Sequence, residues 1–188
     1  MNIRSVLAAL SIFLLASAAS HAVVFNVDRT IGTGSVVGTV TTDGTIGVLT
    51  DANITAYTLT LDEGDAKGSF VITEANSDVR VSGDGLTATL TQLFFNFSGS
   101  GDFALWENPT VSSGINFWCV ENVAAGCTQK ISSIETVRRE GADSGRQVAL
   151  RTGNIVIGDI GGAAVPEPSS LALLGLALVA LGYGRKRS

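Results

Sequence analysis

The chain has 188 residues, of which 45% are hydrophobic and 15% charged, with 22 glycines, one histidine and a formal net charge of −5. This excludes a disordered or strongly charged protein. The charge is uneven: residues 23–164 carry 8 basic and 16 acidic side chains, a net of 8 − 16 = −8, between two apolar ends. A domain of ordinary size fits that middle. Its acidity repels phosphate and disfavours nucleic acid as a partner.

The first 22 residues form a secretory signal. Arg4 supplies a positive start, the run from Val6 to Ala16 is almost unbroken apolar sequence, and Ser20-His21-Ala22 places small residues where signal peptidase reads. The apolar run is too short to span a bilayer. Cleavage after Ala22 discards His21, so the mature chain carries no histidine.

All 18 threonines lie in the middle, where Val, Ile, Thr and Phe recur in short runs separated by Gly and Asp. That is β composition. Strands are expected at 23–27, 36–41, 45–49, 54–61, 69–73, 78–81, 86–97, 103–106, 116–120, 131–137, 148–151 and 154–157. The stretch 132–140 is ambiguous, and helices are expected only at the termini. Asp43-Gly44 reads as a hairpin turn, since both residues tolerate positive φ; Gly83-Asp84-Gly85 and Gly99-Ser100-Gly101-Asp102 read the same way less specifically. Alternation points Tyr57, Leu59 and Leu61 inward. Within 86–97 the apolar positions switch from even to odd, which predicts a bulge or sheet crossing near Gln92. About twelve short strands in roughly 140 residues predict an all-β domain over 23–157, an antiparallel β-sandwich or jelly-roll-like ectodomain. Residues 158–164 then form a linker.

Little in this domain points to catalysis. Cys119 and Cys127 are the only cysteines, and in an oxidising compartment a disulfide between them is expected. A mature chain without histidine cannot build a Cys-His or Ser-His-Asp arrangement, and two cysteines do not complete a structural zinc site. Paired carboxylates would serve a glycosidase, but no spacing singles out a pair. The turn Asp62-Glu63-Gly64-Asp65, or Asp43, Asp84 and Asp102, offers oxygen ligands of the kind calcium takes; solvated loop charge is the simpler account. Among the aromatics, Trp118 beside Cys119 reads as core packing around the disulfide. Trp106, bordering the Glu107-Asn108-Pro109 loop, is the candidate for stacking on a sugar ring. No catalytic residue, cofactor or metal is assigned, and the chain is expected not to be an enzyme.

The C-terminus has three parts. Val165-Pro166-Glu167-Pro168 precedes Ser169-Ser170, residues 171–182 are apolar, and Arg185-Lys186-Arg187 follow. The prolines stop a helix from extending backward, and Ser169-Ser170 can cap it. A helix over 170–184 would be roughly 22 Å long, short of the roughly 30 Å hydrocarbon core, so this single C-terminal transmembrane helix is a weak anchor. The basic cluster should stay in the cytoplasm, with the domain outside. A glycolipid-anchor signal is a poorer fit, because its spacer is longer and its apolar tail ends without basic residues. Two glycosylation sequons, at Asn53 and Asn96, fall in expected strands and read as chance.

In these last 24 residues the chain resembles the PEP-CTERM sorting signal of Gram-negative bacteria. The resemblance implies recognition by a membrane-embedded exosortase, with Val165, Pro166, Glu167 and Pro168 as the sorting motif, and association with exopolysaccharide and biofilm. The stretch 38–47 is also similar to the opening of β-rich ectodomains found ahead of such tails. The expected molecule is an exported, membrane-anchored or exosortase-processed component of the cell envelope or extracellular matrix, transiently or stably anchored. A carbohydrate-binding module is the alternative, and a polysaccharide-active hydrolase a more distant one.

Overall fold

The structure, a computed structural model, describes residues 21–66, 68–107, 116–122, 133–139 and 146–161. The expected signal peptide as far as residue 20, Cys127 and the sorting tail lie outside them.

The described residues are all-β and form two antiparallel sheets. In chain order the strands are β1 (Val23–Ile31), β2 (Gly34–Thr42), β3 (Gly47–Val48), β4 (Ile54–Asp62), β5 (Ser69–Thr73), β6 (Ser77–Gly83), β7 (Leu86–Ala88), β8 (Gln92–Asn96), β9 (Gly101–Glu107), β10 (Phe117–Glu121), β11 (Ile134–Arg138), β12 (Gln147–Leu150) and β13 (Asn154–Asp159). A short 3-10 turn, Asp51–Asn53, precedes β4. The larger sheet runs β3-β7-β8-β13-β1-β2-β4-β5 and the smaller β12-β11-β10-β9-β6. No described helix is long and apolar enough to cross a membrane.

Alternation in the strands builds the core, as expected for a sheet with one covered face. Tyr57, Leu59 and Leu61 do point inward, at 4% exposure or less, beside Phe25, Val27, Val36 and Val40 of the same sheet. The smaller sheet contributes Phe103, Leu105, Trp118, Val120 and Val137 to the same core. Trp118 meets Phe103 edge to face at 5.5 Å, a favoured aromatic geometry.

The sheets cross rather than run along each other. Along β11 and its flanks, Ser133 reaches the Phe97 carbonyl after β8, Glu135 reaches Arg29 on β1, and the Arg139 N–H reaches Glu63 after β4. One strand of the small sheet thus passes over successive strands of the large one, the orthogonal mode of sheet packing. At the other side of the small sheet, Tyr57 of β4 donates from its hydroxyl to the Ser77 carbonyl of β6 at 2.9 Å. Burial pushes the Tyr57 phenol up, against the opposing effect of its bond with Ser77.

Turn chemistry is where the structure departs from local reading. Gly44 does take positive φ (89°), but Asp43-Gly44 is no hairpin, because β2 pairs with β1 and β4 while β3 pairs with β7 at the far edge. The turn is fixed instead by the Asp43 carboxylate, which accepts from the Thr45 N–H and the Asn53 amide. The segments at 83–85 and 99–102 are not hairpins either; they carry the chain between the two sheets. The expected strand 86–97 is two strands, β7 and β8, that pair with each other. The phase switch of its apolar residues is a tight turn through residues 89–91, bonded from the Thr89 N–H to the Gln92 carbonyl, and Leu90 at that turn is 64% exposed. Strand β13 continues through Gly158 and Asp159 after a register shift. The ambiguous 132–140 stretch contains strand β11.

The first and last strands of the described domain meet. Val23 opens β1, Asp159 closes β13, and Asn26 faces Asp159 across an antiparallel pair. Residues 22 and 160 therefore lie at one end of the domain, with Ala22 exposed there.

Candidate functional sites: the outer face of the small sheet and the sorting tail

On β9 and β10 consecutive side chains alternate between the core and the opposite face of the small sheet. Trp118 points into the core, so the adjacent Cys119 points away from it. Cys119 packs instead with Ala104, Trp106 and Phe117, and it is not a free thiol. Trp118 is therefore core, as its sequence suggested, but it does not pack around the cysteine. Trp106 sits on β9 opposite Phe117 and is only 6% exposed. A sugar-stacking platform needs an open ring face, and here that face is covered.

The same outer face holds two carboxylates. Asp102 of β9 lies opposite Glu121 of β10, at 1% and 0% exposure. Arg80 of β6 approaches Asp102 with Nε 3.2 Å from Oδ2, and Ser82 donates its hydroxyl to Oδ1. Across-strand carboxylates are the raw material of glycoside hydrolysis, but this pair is buried and Asp102 is neutralised by Arg80.

The other acidic candidates hold turns together. Asp43 serves Thr45 and Asn53 as above, and those hydrogen bonds keep its carboxyl below the ordinary range. Asp84 accepts from the Ser100 hydroxyl at 2.9 Å and from its N–H, which lowers it in the same way. The three aspartates considered for calcium thus have separate local partners, and no group of three metal-ligating side chains occurs among the described residues. In the 62–65 turn, Asp65 is exposed, whereas Glu63 is 1% exposed and accepts the Arg139 N–H at 2.7 Å. That carboxylate ties two segments and is not a solvated loop charge.

One polar cluster was not visible in the sequence. Glu135 projects from β11 into the core with no exposed surface. Its Oε1 accepts from Arg29 Nε at 2.9 Å and from Trp118 Nε1 at 3.2 Å; its Oε2 accepts from Arg29 Nη2 at 2.8 Å and from Arg151 Nε at 2.9 Å. The hydrogen bond and charge of Glu135 hold the Arg29 guanidinium above its ordinary value against the effect of burial. Arg29 also donates to the Val156 carbonyl and Arg151 to the Thr30 carbonyl. With every carboxylate oxygen occupied, this cluster is inter-sheet structure, as buried charges are when paired and hydrogen-bonded. Sequence gave only one weak signal for it: a Glu at an inward position of an apolar strand.

The described residues therefore define a two-layer antiparallel β-sandwich with the Glu135 ion-pair cluster between its sheets. The comparison with known families then concerns the tail: residues 164–187 match the PEP-CTERM protein-sorting motif. The chain carries that motif, which marks it as an exported protein targeted to exosortase, with a membrane-anchored or surface location. No curated protein and no solved structure matches the chain. The motif residues Val165, Pro166, Glu167 and Pro168 lie outside the described residues.

Proposed function

We propose that this chain is a non-enzymatic β-domain of the cell envelope or extracellular matrix, histidine-free once matured, delivered by signal peptidase and exosortase and associated with exopolysaccharide or biofilm. The sorting motif at 164–187 carries the reading. Signal peptidase cuts after Ala22, a single helix over the apolar run 171–182 holds the chain at the membrane, and exosortase processes it at the Val165-Pro166-Glu167-Pro168 motif. A short helix with a basic end is suited to transient anchoring. Cys119 and Cys127 form the disulfide of the exported domain. The non-catalytic role is supported by the engagement of Glu135, Asp102 and Glu63 in ion pairs and backbone bonds. A carbohydrate-binding role through Trp106 is the weaker reading, since the ring is buried on its own sheet.

Intact-mass analysis of the protein from its native host tests this. The expected species starts at Val23, ends within the sorting motif region and is two hydrogens lighter than its reduced form. Full-length protein retained in the cytoplasm would overturn the proposal.

A further inference from the structure

The end of the domain at which β1 begins and β13 ends carries most of the exposed large hydrophobic side chains among the described residues. Among the described residues seven large hydrophobic side chains are exposed: Val24, Val37, Ile46, Val48, Val71, Leu90 and Leu150. Four belong to this one end. Val24 is the second residue of β1, the first strand of the domain. Leu90, 64% exposed, tips the turn between β7 and β8, and that turn is bonded to the exit of β13 from the Ile160 N–H to the Thr91 carbonyl at 3.1 Å. Ile46, 59% exposed, and Val48, 53%, flank Gly47, which pairs with Ala88 just before the same turn. Leu150, by contrast, lies at the opposite end, next to Arg151 and its bond to the Thr30 carbonyl.

The occupant of this surface follows from where the chain goes next. Leu171, where the apolar run begins, lies ten positions after Gly161, a reach of at most about 35 Å when fully extended. The end of the domain bearing Val24, Ile46 and Leu90 is therefore the end nearest any membrane the tail enters. The segments 22–26, 42–53, 88–92 and 157–161 contain Asp43, Asp51 and Asp159 and no Lys or Arg. An anionic lipid surface is accordingly disfavoured, and aliphatic contact with the interface of a zwitterionic bilayer is what this chemistry suits.

We propose that, while the tail is attached, the domain rests on the outer surface of the membrane through Ile46, Leu90 and Val24, with zwitterionic phospholipid as the partner. The inference rests on the exported, tail-anchored reading and adds the orientation of the domain to it. Contact at this end also keeps the sorting motif close to the lipid surface, where a membrane-embedded enzyme acts.

The test uses the full chain reconstituted in phosphatidylcholine vesicles containing brominated phosphatidylcholine, which quenches indole emission on contact. Trp118 and Trp106 are buried, so they give a constant background. Leu90→Trp and Ile46→Trp are each compared with Leu150→Trp. Loss and blue shift of the added emission at 90 and 46, but not at 150, is the expected result, weakened when phosphatidylglycerol replaces part of the lipid. Equal quenching at all three positions, or none at 90 and 46 in protein that floats with the vesicles, overturns the inference alone. Changes that follow protein density rather than bromolipid content indicate a second copy and also overturn it. Failure to float with the vesicles overturns the anchored reading and the inference together.

Discussion

Arg29 on β1 and Glu135 on β11, 106 positions apart, meet as a bidentate ion pair, Nε to Oε1 at 2.9 Å and Nη2 to Oε2 at 2.8 Å. The pair bridges the two sheets, and Arg151 and Trp118 complete the carboxylate's hydrogen bonds. Removing one member of a buried pair leaves an uncompensated charge, which costs about 3–5 kcal/mol when burial is complete. Because the two arginines keep 15% and 24% of their side chains exposed, Glu135→Gln is expected to cost about 2–4 kcal/mol. Urea unfolding at neutral pH measures it.

Gly38 sits within β2 at φ 150°, and a Cβ there would lie 2.0 Å from the Thr58 carbonyl oxygen of the neighbouring strand. The atom it meets is backbone, so relief requires β2 and β4 to separate. Gly38→Ala should therefore destabilise more than an ordinary core substitution, by about 3 kcal/mol or more. A far-UV melting curve that shifts by no more than that of Gly153→Ala, where a Cβ meets nothing within 4 Å, would show that the strands can yield there.

Trp106 is expected to behave as packing. Trp106→Ala should cost about 3–5 kcal/mol, as for other buried aromatics, and Trp106→Phe much less. Retention on the native polysaccharide, measured alongside stability, separates the roles: retention lost in a Trp106→Phe protein of unchanged stability would restore the ring as a binding element.

Asp43 and Asp84 set an acid limit. Hydrogen bonds hold both folded carboxyls below the ordinary value of 3.8. A depressed folded pKa stabilises at pH above the unfolded value and loses that contribution as pH falls through the folded one. Stability should thus decline below about pH 4, and Asp43→Asn should flatten that decline while lowering stability at pH 7. Denaturant titrations at pH 7 and pH 3 measure both effects.

The proposed Cys119–Cys127 disulfide closes a short loop, and in the chain-entropy model it is worth roughly 2–3 kcal/mol. Cys127→Ser, which leaves the buried Cys119 in place, should lower the unfolding midpoint to that of the reduced protein. Non-reducing mass analysis confirms the pairing.

The sequence alone determined the β class, the inward faces of strands such as β4, and the tail motif. Each depends on residues close together in the chain: a two-residue alternation, a composition, a contiguous Val-Pro-Glu-Pro with its apolar run. Strand pairing was not legible, as Asp43-Gly44 illustrates. Gly44 takes the positive φ expected of it, yet no hairpin forms: the strand that follows pairs with β7 rather than β2, because pairing is chosen by which edge and which apolar face are free in the assembled sheet. The crossing of the sheets and the Glu135 cluster were decided only in three dimensions. A charged residue at an inward position reads locally as a fault, and it becomes a structural element only when chain folding brings Arg29 and Arg151 to it. The gathering of Ile46, Leu90, the start of β1 and the end of β13 at one pole has the same origin: antiparallel pairing of β1 with β13 joins positions that the sequence holds more than a hundred residues apart.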